Sequence, residues 1–196
     1  MKDNTAAIQE IKGLLGENER KAYVRSFGCQ LNVSDGEKIK GQLRKMGYTF
    51  TEDEHEADLI ILNTCAVRES AEDRVFGIVG SMKKLKELNP SLIIGIAGCM
   101  TAQEHIAEKI KRSYPQVDIV LGTSAINALP KLIAVCSIFV ASVLLPAPSG
   151  PSSIIVSIFV SSFNINKVTL DFFSAKQREV FFEYLLWAHA LHRLRA

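Results

Sequence analysis

Between residues 21 and 133, apolar positions fall into two alternating kinds of run. One kind is short and close to continuous: AYVRSF (22–27), ADLIILNTC (57–65), SLIIGIAGC (91–99) and VDIVLG (117–122). The other recurs every three or four residues: Ile39, Leu43 and Met46, then Val75, Ile78, Val79, Met82 and Leu85, then Ile106 and Ile110. Continuous runs bounded by polar residues predict strands buried on both faces. The wider spacing predicts helices that bury one stripe. Their alternation predicts an α/β domain: an open, largely parallel sheet with helices on both faces. Periodicity does not carry strand order.

Local signals punctuate these runs. Ser34 with Glu37 three residues on reads as a capping box opening the first helix, and Gly47 closes it. Tyr48 to Phe50 forms a short second strand, and the acidic stretch Glu52 to Asp58 a solvated connection. The next helix runs from about Ser70 to Leu88, where Asn89-Pro90 stops it. Thr101 and Glu104 form a second capping box, and Asn127 to Leu132 a short closing helix. The organisation read from this is an N-terminal extension (1–20), the α/β domain (21–133) and an apolar tail (134–196) to which no fold is assigned.

In the tail, Ala134 to Leu145 and Ser152 to Phe163 are apolar, separated by Pro146, Pro148, Gly150 and Pro151. Each run is shorter than the roughly 20 residues a membrane helix needs, so no membrane span is expected. From Asp171 a helix holding Phe181, Phe182, Leu185, Leu186 and Trp187 is possible.

Composition adds two points. Hydrophobic residues make up 47% of the 196, enough for a sizeable core. The formal net charge of +2 argues neither for nor against a polyanionic partner, and residues 1–133 balance 18 basic against 18 acidic side chains. Residues 1–20 are charged and unlike a secretory signal. The four cysteines therefore read as reduced thiols of a cytoplasmic protein, suited to metal binding or catalysis rather than disulfides.

Cys29, Cys65 and Cys99 occupy equivalent places, each just after a predicted strand and just before a helix. Loops at the carboxyl ends of parallel strands share one edge, where ligands bind. Gly28 and Gly98 precede two of them and let backbone approach a bulky ligand closely. A helix N-terminus favours thiolate, and thiolates suit zinc or iron–sulfur clusters. Paired CxxC spacing, usual for structural zinc, is absent. The rival reading is three unconnected core thiols, since free cysteine is often buried; the shared strand-end position favours a site. Cys136, inside the apolar run, reads as an inert buried thiol and a poor fourth ligand.

Other candidates carry less. Asn32 and Asn63 flank two of the cysteines and suit hydrogen bonds to a cluster or substrate, or ordinary turn and cap roles. Arg68, Glu69, Glu72, Asp73 and Arg74 form a polar patch or a solvated helix start. Lys83, Lys84 and Lys86 form a basic cluster for RNA phosphates or an exposed helix face. His55 and His105 have no nucleophile partner, and no GxxxxGK[ST] phosphate loop occurs.

The segments SFGCQLNVSDGE, ADLIILNTCAVRESAEDRVFG and IIGIAGCMTAQE resemble the N-terminal domain of the radical-SAM methylthiotransferases. Asn63 to Glu69 and Ala71 to Arg74 are most similar to the branch that methylthiolates C2 of N6-isopentenyladenosine in tRNA, next to the anticodon. The resemblance implies an auxiliary 4Fe–4S cluster bound by Cys29, Cys65 and Cys99, which supplies or carries the sulfur. It also implies a radical-SAM barrel, with a CxxxCxxC cluster that cleaves S-adenosylmethionine, and a tRNA-binding TRAM domain. The 196 residues contain no CxxxCxxC. The chain is therefore expected to lack the barrel and TRAM domain and to be inactive alone. The alternative is a non-catalytic iron–sulfur module acting with a separate radical-SAM chain. A third possibility is membrane association through the tail. The change of composition after residue 133 suits a frameshifted or rearranged reading frame, or a fused segment.

Overall fold

The computed structural model describes residues 19–65 and 69–144, with side chains over 19–65 and 74–137. Most of the N-terminal extension, the proline cluster and the helix expected from Asp171 lie outside the described residues.

Among the described residues, five strands form one sheet: β1 (Arg20–Ser26), β2 (Tyr48–Phe50), β3 (Leu59–Thr64), β4 (Ile93–Gly98) and β5 (Ile119–Gly122). Their order is β2-β1-β3-β4-β5, and every neighbouring pair is parallel. Connecting or following them among the described residues are α-helices α1 (Gln30–Lys45), α2 (Glu69–Leu88), α3 (Glu104–Ser113) and α4 (Leu129–Leu144). This is the α/β architecture that the alternation of runs predicts.

β3 and β4 are buried at every position, which is why they read as continuous apolar runs. Alternate residues serve opposite faces. Leu59, Ile61, Ile93 and Ala97 pack with Ile39 and Leu43 of α1 and with Leu132 and Ile133 of α4. Ile60, Leu62, Ile94 and Ile96 pack with Val75, Val79 and Met82 of α2 and with Ile106 and Ile110 of α3. Each isoleucine or leucine fully removed from water in these layers contributes about 1.5–3 kcal/mol.

Three local expectations are corrected. α1 opens at Gln30, not Ser34, with Cys29 in the N-cap position. Asn32 in its first turn is drawn down onto the end of β3 by hydrogen bonds to Asn63 and Thr64, so the helix begins four residues before the Ser34–Glu37 pair. α3 opens at Glu104 after Gln103, which makes no side-chain capping bond. Thr101 does not cap it. Its hydroxyl is buried within 3.0 Å of the Gly98 carbonyl and 2.7 Å of the Leu121 carbonyl, tying the ends of β4 and β5. The short closing helix is instead a 3-10 turn over Thr123–Ala128 that runs into the longer α4. Ala134, Val135 and Cys136 of α4 are buried in the same cluster as α1 and β3.

The lysine cluster on α2 is split. Lys83 and Lys84 are exposed, but Lys86 turns inward. Its ammonium donates to the Leu92 carbonyl and pairs with Asp118 at 2.8 Å. The same Asp118 oxygen accepts from the Ile94 backbone N–H at 2.8 Å. Lys86 thus joins α2 to the starts of β4 and β5 and is unavailable to a phosphate. Arg74 is exposed, and the other side chains of the polar patch lie outside the described residues. His55 and His105 are exposed, and His55 donates its backbone N–H to Asp53 within a 3-10 turn.

Candidate functional site

The strand order creates a reversal. From β1 the chain steps outward to β2 through α1, and β3 then adds on the opposite side of β1. In open parallel sheets, the crevice outside the carboxyl ends at such a switch point is where ligands bind. Cys29, just past β1, and Cys65, at the end of β3, flank this reversal; Cys99 follows the adjacent β4.

Cys29 is exposed, Cys65 buried and Cys99 intermediate, and none of the three is in a disulfide. The Sγ atoms of Cys65 and Cys29 lie 4.0 Å apart. Cys99 Sγ lies 3.6 Å from the carbonyl oxygen of Thr64, which also accepts the Cys99 backbone N–H at 3.1 Å. The structure therefore brings Cys29 and Cys65 directly together and holds Cys99 against the residue that adjoins Cys65.

A buried amide pair stands beneath the three loops. Asn32 Nδ2 donates to Asn63 Oδ1 and to the Thr64 carbonyl, both at 3.0 Å. Asn63 Nδ2 donates to the Asn32 carbonyl at 2.6 Å and to Ser26 Oγ at 3.3 Å. Asn32 is 3% and Asn63 0% exposed, so neither amide has water as an alternative partner and breaking these bonds is costly. Asn32 Oδ1 is buried without a hydrogen-bond partner among the described residues.

Two glycines make the close approach possible. Gly28 has φ +139°, and a Cβ there would stand 2.2 Å from Cys65 Cβ and 2.9 Å from its sulfur. Gly98 has φ +116°, and a Cβ there would stand 2.1 Å from the Thr64 carbonyl oxygen and 2.9 Å from Asn63 Oδ1. Only glycine meets both the backbone conformation and the clearance.

Sequence reasoning missed Ser26, Gly36 and Thr64 in this neighbourhood and gave Thr101 a capping role in place of its bonds to the ends of β4 and β5. A Cβ on Gly36 would fall 2.4 Å from Ser26 Oγ. The available signal was a glycine inside a helical pattern, which marks close backbone approach. Thr64 Oγ1 is buried and donates to the Ala97 carbonyl at 2.9 Å, locking β3 to β4 beneath Cys65 and Cys99. No sequence pattern distinguishes that role from an ordinary strand threonine.

The donor set suits a thiolate-bound group, and the side-chain-free positions 28 and 98 leave the backbone close to the thiols. Cys29, Cys65 and Cys99 are side chains of the type that ligates iron–sulfur clusters. Among the described residues, no three His, Cys, Asp or Glu side chains stand as a preassembled ligand group. Cys136 is remote in character: it is 3% exposed, and burial, reinforced by the Asp118 carboxylate, pushes its thiol well above the usual range. Iodoacetamide should therefore modify Cys29 in the native protein and Cys136 only after unfolding, as peptide mass mapping will read.

The fold and the site define a doubly wound parallel domain with thiols gathered at its switch point. A model for the uncharacterized protein family UPF0004 matches residues 21–122, and the chain belongs to this family. Its relatives include proteins named tRNA-2-methylthio-N(6)-dimethylallyladenosine synthase. That of Desulforamulus reducens is 50% identical over 117 residues, covering 59% of this chain and 26% of the relative. That of a Thermoanaerobacter species is 48% identical over 126 residues, covering 63% and 27%. That of Bacillus velezensis is 45% identical over 126 residues, covering 64% and 24%. The chain thus spans about a quarter of the length of these relatives. No helix among the described residues is long and apolar enough to cross a membrane.

Proposed function

We propose that residues 21–133 are the auxiliary-cluster domain of a tRNA methylthiotransferase, with Cys29, Cys65 and Cys99 as ligands of one 4Fe–4S cluster. The family reaction would be methylthiolation of C2 of N6-isopentenyladenosine in tRNA. One observation carries the reading: the Cys29 and Cys65 sulfurs lie 4.0 Å apart at the switch point, with Cys99, from the next strand end, against the Thr64 carbonyl. Close similarity to relatives named for that reaction supports it.

When bound, the cluster supplies a site for sulfur to be held or transferred. The chain's own residues have defined parts around it. Cys29 and Cys65 offer thiols from opposite sides of the switch point, and Cys99 offers the third from β4. Asn32 and Asn63 fix the two flanking loops. Gly28 and Gly98 keep side chains out of the crowded backbone beside the thiols. The 196 residues contain no CxxxCxxC with which to hold a second cluster for S-adenosylmethionine. By themselves they should therefore generate no radical and methylthiolate no tRNA. The tRNA contact of this piece is expected to be weak, and the radical step belongs to a barrel outside these residues or on a separate chain.

Anaerobic reconstitution with iron and sulfide tests the cluster. A brown protein with about four irons per chain is expected. Changing Cys29, Cys65 and Cys99 together to Ala should remove the iron while far-UV circular dichroism stays unchanged. A folded, colourless wild-type protein that takes up no iron would sink the assignment.

A further inference from the structure

We propose that Cys29 and Cys65 are also a dithiol redox site, which a small-molecule disulfide converts into an intramolecular Cys29–Cys65 disulfide. This inference rests on the thiol geometry alone and does not depend on the cluster reading.

The two sulfurs lie 4.0 Å apart. A disulfide bond is about 2.05 Å long, so they need approach by only roughly 2 Å. The loops that carry them are already held together from below. Phe27 N–H donates to the Asn63 carbonyl at 2.8 Å, Asn32 Nδ2 donates to Asn63 and Thr64, and Asn63 Nδ2 donates back to the Asn32 carbonyl. Gly28 lets its backbone rest against Cys65 Cβ without a side chain between them. These bonds already hold Cys29 and Cys65 close, so closing the disulfide costs little chain entropy.

Exposure divides the roles. Cys29 is exposed and Cys65 is 2% exposed, so the oxidant meets Cys29 first. The Cys29 sulfur attacks one sulfur of the oxidant, breaking its S–S bond and releasing one thiol. The Cys65 sulfur then attacks Cys29 Sγ, breaking the mixed disulfide and releasing the second thiol. The pair gives up two electrons and two protons, and the oxidant becomes two thiols. Cys99 is turned to the Thr64 carbonyl at 3.6 Å and takes no part. Both sulfurs of the bond are then masked, and a dithiol reductant restores them.

The test uses reduced, metal-free protein incubated with oxidised glutathione under anaerobic conditions, followed by non-reducing peptide mapping. Wild type and Cys99→Ser should both yield the Cys29–Cys65 linkage as the dominant product, reversed by dithiothreitol. Cys65→Ser should stop at a glutathione adduct on Cys29, and Cys29→Ser should remain largely unmodified. Circular dichroism of each variant checks that the fold is kept. A wild-type protein that accumulates the glutathione adduct on Cys29, or that links either residue to Cys99 or Cys136 instead, overturns the proposal. Iron uptake is read separately on reduced protein, so failure of the cluster assignment and failure of the dithiol are distinguishable.

Discussion

Gly98→Ala is expected to destabilise the domain by about 3–4 kcal/mol. Two costs combine. At φ +116° an alanine backbone is strained, which accounts for about 1–3 kcal/mol. The new methyl would also stand 2.1 Å from the Thr64 carbonyl oxygen and 2.7 Å from the Thr64 nitrogen. These are backbone atoms of a fully buried central strand, so they cannot swing aside as a side-chain end does. For a domain of this size the midpoint of thermal unfolding should fall by roughly 10–20 °C. Gly95→Ala is the control. Its Cβ would meet the tip of Ile61, 2.6 Å away, at a position without positive φ, and a side-chain tip can yield. We expect about 1–2 kcal/mol there. Equal losses at the two positions would show that the overlap with Thr64 is relieved cheaply. Because Thr64 also receives Asn32 and Cys99, Gly98→Ala should disturb the thiols too, seen as altered alkylation of Cys29.

Asp118→Ala should cost about 2–4 kcal/mol. Asp118 is 6% exposed, and its Oδ2 accepts from both Lys86 Nζ and Ile94 N–H. Removing the carboxylate leaves a buried backbone donor unsatisfied and a half-buried ammonium without its counter-charge. The value lies at the lower end of what breaking a buried pair costs, because Lys86 keeps the Leu92 carbonyl and some access to water. Asp118→Asn retains an oxygen for Ile94 and should lose less. Urea unfolding of both variants measures the difference; an alanine loss below about 1 kcal/mol would show that the bridge is not a structural one.

These two sites illustrate what was legible in the chain. The buried strands β3 and β4 were plain in ADLIILNTC and SLIIGIAGC, since a strand covered on both faces must be apolar throughout. The stop of α2 at Asn89-Pro90 was equally plain, because proline disfavours helix in the residue before it. Helix starts were less legible. Ser34 and Thr101 carry the local pattern of caps, but long-range hydrogen bonds set the first turn of α1 and engage Thr101 with β4 and β5. Lys86 resembled its neighbours Lys83 and Lys84 until Asp118, 32 residues away, gave it a partner.

By itself the sequence determined the alternation of strands and helices, the thiols at strand ends and the glycines before two of them. Local periodicity and residue chemistry suffice for these. Strand order was decided only in the tertiary structure, because it depends on which sheet edges pair, and no local pattern encodes that. With it came the reversal between β1 and β3 that sets Cys29 beside Cys65. The Asn32–Asn63 amide pair belongs to the same level. Its worth lies in being buried and bonded across two elements, which is a property of the packed molecule rather than of either residue.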